Sequence, residues 1–180
     1  MTSIHDADAL EALRGQYRVD PNHLRLVRNA FYKKHHTAEE ALQPLPEPQR
    51  VTFGKEVAFH ALELRSRHDS QRDGASKLLF RTARGHPIET VILRINSGRT
   101  SLCVSSQVGC AAHCAFCATG YMGIAHNLDR DEILDQVVQA NQLLRPEGRA
   151  VRNVVFMGMG EPLHNEAAVY AAIDVLLSPR

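Results

Sequence analysis

The chain has 180 residues, 44% apolar and 23% charged, which fits one folded domain with a small appendage and excludes wholesale disorder. No stretch approaches the roughly 20 apolar residues needed to cross a bilayer, and Asp6 and Asp8 stand where a secretory leader would be basic and apolar, so a cytoplasmic protein with no membrane partner is expected. The net charge of +1 is unevenly spread, with 16 Lys/Arg against 12 Asp/Glu in residues 1–100 and 5 against 8 in residues 101–180, a basic surplus too small to signal nucleic acid by itself.

Residues 1–43 read as helical. Leu10 and Leu13 sit one turn apart, and Leu24, Val27 and Phe31 mark one face of a helix that starts after Asp20-Pro21. A short helix is expected over Thr37–Leu42, with Glu39 and Glu40 in its first turn. Pro44, Pro46 and Pro48 then alternate, so Gln43–Gln49 is expected to be a linker or sharp bend.

From residue 61 the apolar period becomes two. Leu62 and Leu64 alternate with Glu63 and Arg65, and further strands are expected over Lys77–Thr82, Ile88–Ile95 and Thr100–Ser105. Turn signals at Gln71-Arg72-Asp73-Gly74, Arg84-Gly85-His86 and Asn96-Ser97-Gly98 separate them and predict a small antiparallel sheet. In Ile88–Ile95, Glu89, Val91 and Leu93 share one face, and Ile88, Thr90 and Ile92 the other.

Beyond residue 126 the pattern turns to β/α. A helix opens over Asn127–Arg130 and carries Ile133, Leu134, Val137, Val138 and Leu144 as its apolar face. Val151–Met157 reads as a parallel strand covered on both faces, followed by the loop Gly158-Met159-Gly160-Glu161-Pro162 and a helix over Ala167–Leu177. Two β/α units give such a strand few parallel neighbours, so the chain is read as the N-terminal part of a longer protein.

All four cysteines fall between Cys103 and Cys117, a clustering that points to metal, iron–sulfur or redox chemistry rather than a disulfide scaffold. In Cys110-Ala111-Ala112-His113-Cys114-Ala115-Phe116-Cys117, three thiolates on one loop can ligate three irons of a cubic cluster and leave the fourth open to a substrate. Small residues between them let the backbone wrap tightly, and Phe116 can lie against a flat adenine ring. Structural zinc is the alternative, with Cys114 and Cys117 as half a site and Cys103, Cys110, His113 or His126 completing it. The Gly158–Glu161 loop sits at the carboxyl end of a strand, where α/β proteins bind ligands. Its glycines permit close approach, and Glu161 offers a carboxylate to an ammonium group.

This arrangement resembles radical S-adenosylmethionine enzymes. More narrowly, it is similar to the methyltransferases that act on C2 of an adenosine in large-subunit ribosomal RNA and to their antibiotic-resistance relatives that act on C8. The matching stretches are Ile88–Val91, Leu102–Cys110, Cys114–Gly120, Asn127-Leu128 with Glu132-Ile133, and Asn153–Pro162. The resemblance implies an α/β fold: an incomplete (β/α)6 partial barrel over 101–180, preceded by a helical accessory, RNA-binding-like domain over 1–48 and a linker with a short antiparallel sheet over 49–100.

It implies Cys110, Cys114 and Cys117 as ligands of a [4Fe-4S] cluster, and Gly160 and Glu161 as the loop holding the methionine end of S-adenosylmethionine. It implies Glu89 as a proton acceptor and Cys103 as the cysteine that resolves a covalent enzyme–RNA adduct, with disulfide formation releasing the product. Implied partners are large-subunit rRNA, transfer RNA as a second substrate, and an electron donor such as flavodoxin or ferredoxin, with the protein a monomer. The methyl-accepting cysteine of these enzymes is missing, because no cysteine follows Cys117, so the chain alone is expected to be inactive on RNA. The alternatives are a zinc-stabilised RNA-binding module and a radical enzyme acting on a small molecule or peptide. Replacing Cys110, Cys114 or Cys117 with Ala is expected to abolish iron binding after anaerobic reconstitution; stoichiometric iron retained in such a variant would refute the ligand set.

Overall fold

The computed structural model describes residues 1–95 and 97–178, apart from the side chains of Ile124 and Ala125. Of the expected turn Asn96-Ser97-Gly98, Asn96 lies outside the described residues. The chain forms two compact units, divided between Ala61 and Leu62, where the sequence suggested boundaries after residues 48 and 100.

The first unit holds four helices: α1 (Ala7–Gln16), α2 (Pro21–Tyr32), α3 (Ala38–Leu42) and α4 (Glu47–Glu56). The first three have side-chain caps. Asp6 accepts from the Ala9 N–H, Asp20 from Asn22, and Thr37 with Glu40 closes a capping box. Strands β1 (Thr2–Ser3) and β2 (Val57–Ala58) pair in parallel. Ile4, Leu10, Val27, Phe31, Leu45, Phe53 and Phe59 form the buried interior, with the Phe31 and Phe59 rings edge to face at 5.2 Å. The linker expected over Gln43–Gln49 is corrected here. Glu47 opens α4 with Pro48 in its first turn, where a missing N–H costs nothing, and Leu45 is buried.

The second unit is built on a five-stranded mixed sheet. Strands β3 (Leu62–Asp69), β4 (Ser76–Thr82), β5 (Pro87–Arg94) and β6 (Thr100–Cys103) form an antiparallel meander. After β6 come β7 (Gln107–Gly109) and β8 (Ile124–Asn127), an antiparallel pair of their own, then helix α5 (Arg130–Leu144). The chain returns as β9 (Asn153–Val155), parallel to β6, and ends in helix α6 (Glu166–Leu177). The sheet order is β3-β4-β5-β6-β9, so the antiparallel extension and the start of the β/α region share one sheet.

The β7–β8 pair was not foreseen; the helix begins at Arg130, within the expected opening over Asn127–Arg130, where Asp129 and Glu132 form a capping box. β9 is also shorter than the expected Val151–Met157. Its Val154, and Phe156 just after it, pack on the core, while Met157 is exposed, so among the described residues helices cover the strand on one face only.

Helices α5 and α6 cover that face. Leu78, Phe80, Ile88, Ile92 and Leu102 of the sheet meet Ile133, Leu134, Val137 and Ala140 of α5 and Val169 and Ala172 of α6. Glu89, Val91 and Leu93 stand on the other face, which bears no helix among the described residues. Arg94 turns to the helical side, where its guanidinium clasps both Glu147 oxygens at 2.7 Å. Phe80→Ala is expected to destabilise this unit by about 3–5 kcal/mol in denaturant unfolding. Leu93→Ala, on the bare face, is expected to cost less than about 1 kcal/mol.

Candidate active site

The segment Ser105-Ser106-Gln107 leaves β6 fully buried, although all three residues are polar. Buried polar groups need partners, and here most come from α5 and from the loop after β9. The Gln136 carboxamide of α5 accepts from the Ser105 N–H (2.8 Å) and the Thr90 hydroxyl (2.7 Å) and donates to the Ser105 carbonyl (3.0 Å). The Ser105 hydroxyl accepts from the Met159 N–H at 2.9 Å, and the N–H groups of Ser106 and Gln107 donate to the Met159 carbonyl. Asn165 donates to the carbonyls of Ser106 and Leu128. The Gly158–Glu161 loop is thereby laid directly on the start of β7.

That contact explains the two glycines. A Cβ on Gly158 would sit 2.7 Å from the Val104 carbonyl oxygen, and one on Gly160 would sit 2.6 Å from the Gln107 Cβ. Gly160 also has φ +99°, a conformation that side chains disfavour. Glu161 follows at the mouth of the loop. One carboxylate oxygen accepts from the Leu163 N–H at 3.1 Å, and the other has no partner among the described residues.

The cysteine loop hangs from the β7–β8 pair. Cys110, buried, immediately follows β7, and its sulfur accepts the Ala112 N–H at 3.5 Å. Cys114 is exposed and Cys117 half-buried, joined by a turn in which the Cys117 N–H donates to the Cys114 carbonyl. The backbone N–H of Gly120, then that of Thr119, pulls the Cys117 thiol below its ordinary value, as a thiolate ligand requires. His113 is held at φ +48°, in the left-handed region.

Phe116 projects from this loop 93% exposed, and Tyr121 and Met122 on the same loop are exposed as well.

Among the described residues, no three His, Cys, Asp or Glu side chains are arranged to hold a single metal ion. A tetrahedral zinc site needs four such ligands converging on one point. A cubane needs one sulfur at each of three separate irons. The cysteine loop supplies three thiols, two of their sulfurs with backbone N–H donors, and these are the residues that would hold such a cluster. The His126 ring meets that of His86 in a tilted contact at a centroid distance of 5.2 Å, and its two ring nitrogens have no hydrogen-bond partner among the described residues.

Cys103 and Glu89 lie on the helix-free face. Cys103 on β6 pairs with Val91 on β5 and with Val155 on β9, and Glu89 is two residues from Val91, so the two are diagonal neighbours. Burial pushes the Cys103 thiol up, while the Met157 N–H donates to its sulfur, placing Cys103 at the head of the Gly158–Glu161 loop. Glu89 is half-exposed and bonded to Lys77 of β4 at 3.1 Å.

The sequence reading missed Lys77 as the partner of Glu89, and it missed Gln107, Asn127, Gln136 and Asn165 as the frame of the loop. The one visible signal was the polar run Ser105-Ser106-Gln107 between an apolar strand and the cysteines.

No family model matches the chain. Over 170 residues it is 55% identical to a "probable RNA methyltransferase" of Rhodopirellula baltica, covering 94% of this chain and 43% of that protein. It is 41% identical over 171 residues to a "dual-specificity RNA methyltransferase RlmN 1" of Myxococcus xanthus, covering 94% of this chain and 47% of that protein. A crystal structure of a radical SAM methyltransferase from Sphaerobacter thermophilus superposes with a TM-score of 0.88 at 34% identity, covering 99% of this chain and 52% of that one. The chain is thus homologous, over nearly its whole length, to part of RlmN-type RNA methyltransferases and to part of a radical SAM methyltransferase. It spans about half the length of the RlmN-type relatives it matches. The fold is that of the radical SAM neighbour, α/β with a mixed sheet, and no helix among the described residues is long and apolar enough to cross a membrane.

The thiol environments give a pH test. In the metal-free chain, the lowered Cys117 pKa means more thiolate at neutral pH, and the raised Cys103 pKa means less. Iodoacetamide rates mapped by mass spectrometry are expected to level off at a lower pH for Cys117 than for Cys103. A reversed order would refute the hydrogen-bond assignment at Cys117.

Proposed function

We propose that the protein to which this chain belongs methylates an adenosine of large-subunit rRNA at C2, with transfer RNA as a second substrate. The observation that carries this reading is the placement of Cys103. It sits on the open sheet face diagonal to Glu89, paired with Val155 of β9, the strand that leads into the Gly158–Glu161 loop. A radical enzyme acting on a small molecule has no use for a thiol and a carboxylate beside that loop. An enzyme that must deprotonate a ring carbon and then release a covalent adduct needs both. The names of the RlmN-type relatives support RNA as the substrate class.

In this reading Cys110, Cys114 and Cys117 hold a [4Fe-4S] cluster, Gly160 and Glu161 bind the ammonium end of S-adenosylmethionine, and Phe116 lies on its adenine. When bound, the cluster supplies the electron for reductive cleavage of the cofactor, received from a flavodoxin or ferredoxin. The chain's own residues do the remainder. Gly158 and Gly160 bring the loop backbone against β7, fixing where the cofactor's charged end rests.

Glu89, kept in place by Lys77, takes the proton from the methylated ring carbon. Cys103, whose thiol burial keeps protonated at rest, would free the enzyme from the RNA: its sulfur bonds to the sulfur of the adduct, the carbon–sulfur bond to the RNA breaks, and a proton equivalent to the one the thiol gives up completes the methyl group. The helix-free sheet face forms the inside of a partial (β/α)6 barrel, and the methyl-accepting cysteine lies outside these 180 residues, so the chain assayed alone transfers no methyl group. The protein works as a monomer in the cytoplasm.

The test uses the longer protein carrying a late cysteine, reconstituted anaerobically and given an rRNA fragment. Digestion and mass spectrometry with authentic standards are expected to show 2-methyladenosine, and Cys103→Ala is expected to accumulate protein covalently attached to RNA. An 8-methyladenosine product would establish the C8-type relative instead. Colourless protein with one zinc per chain and no methyl transfer would overturn the reading in favour of a zinc-stabilised RNA-binding module.

A further inference from the structure

Gln107 is fully buried at the start of β7, and its carboxamide makes two hydrogen bonds. Its oxygen accepts from the Glu161 backbone N–H at 2.9 Å, and its nitrogen donates to the Asn127 side-chain oxygen at 2.7 Å. The Asn127 amide nitrogen in turn donates to the His164 carbonyl at 3.2 Å, beyond the far end of the same loop. A two-residue bridge from the β7–β8 pair therefore grips the loop on both sides of Glu161. The cysteine loop springs from the same pair, since Cys110 directly follows Gly109.

The bond to Glu161 has a geometric consequence. No cis peptide is present, and a trans peptide is planar with its N–H and C=O pointing in opposite directions. With the Glu161 N–H turned inward to Gln107, the Gly160 carbonyl is turned away from the buried segment. No hydrogen bond to that carbonyl occurs among the described residues. The free Glu161 oxygen and the Gly160 carbonyl are thus two acceptors at one loop mouth, as an alkylammonium group requires. Gly160 by itself does not fix this orientation, because glycine at φ +99° leaves the peptide free to rotate.

We propose that Gln107, braced by Asn127, is the positioning residue that turns the Gly160–Glu161 peptide so that its carbonyl and the Glu161 carboxylate together receive the cofactor's ammonium group. The inference rests on the reading of this loop as the cofactor's methionine site. It concerns a residue outside the cysteines and outside the loop itself, one that touches no cofactor and acts through the peptide it holds.

The test uses the 180-residue chain. Gln107→Leu keeps the buried volume but removes both hydrogen bonds. In the metal-free chain it is expected to raise the amide exchange rate of Glu161 at least tenfold, with the exchange of α5 amides unchanged. In the anaerobically reconstituted chain it is expected to leave iron content unchanged and to weaken S-adenosylmethionine binding at least tenfold, titrated through the paramagnetic signal of the reduced cluster.

Two further variants separate positioning from stability. Asn127→Ala changes an exposed residue and loosens Gln107 without replacing it, so it is expected to weaken binding several-fold, and it carries the test if Gln107→Leu does not fold. Leu144→Ala empties buried apolar volume at the end of α5 far from Gln136 and belongs to neither the loop nor its frame, so it is expected to lower the melting temperature with cofactor affinity unchanged.

Cofactor affinity within twofold of wild type in both Gln107→Leu and Asn127→Ala would overturn the proposal, as would equal weakening in Leu144→Ala. A wild-type chain whose reduced cluster ignores the cofactor, while Glu161 exchange still depends on Gln107, would refute the loop's functional reading and this assignment with it. That pattern is distinct from a failure of Gln107 alone.

Discussion

The Gln136 carboxamide serves both backbone groups of Ser105, accepting its N–H and donating to its carbonyl. A strand that ends inside a protein leaves such groups without ladder partners, and a buried unpaired amide or carbonyl costs on the order of 1–3 kcal/mol. With Ser105 satisfied from α5, the chain can leave the sheet at β6 and start a second pair at β7 without reaching solvent. Everything chemical then follows in space: Ser105 and Ser106 hold Met159, Gln107 holds Glu161, and the cysteine loop opens from the end of β7.

The two faces of the sheet divide the work. The helical face carries nearly all the large buried apolar side chains of the second unit, so it bears the stability. The other face carries Glu89 and Cys103, and its substitutions are cheap for folding. The Lys77–Glu89 pair is half-exposed on both sides, so its contribution to stability is small. What it supplies is direction, since it holds a carboxylate in one place on an open surface.

Much of this was legible in the residues. Strict alternation in Ile88–Ile95 gave the strand and told which of its residues share a face, because a period of two leaves no third choice. The starts of α2 and α3 were visible at Asp20-Pro21 and at Thr37, while the side-chain caps made by Asp20 and by Thr37 with Glu40 emerge only from the structure. The prolines at 44, 46 and 48 misled, because a proline in the first helical turn sacrifices a hydrogen bond that would not form anyway, and α4 begins there. The cysteine loop and the glycine pair were conspicuous as motifs. Their frame was not, because a Gln at 107 or 136 looks like any surface residue until long-range pairing buries it. The carboxamide of Gln107 meets a residue 54 positions away, a separation no local pattern encodes.

The order of strands carries a consequence for how the molecule assembles. β3 to β6 are joined by short turns, and such neighbours find one another early at little entropic expense. β9 must instead close a long excursion that contains the β7–β8 pair, the whole cysteine loop and α5 before it can zip onto β6. The sulfur-bearing loop is therefore synthesised and displayed before the glycine loop docks behind it.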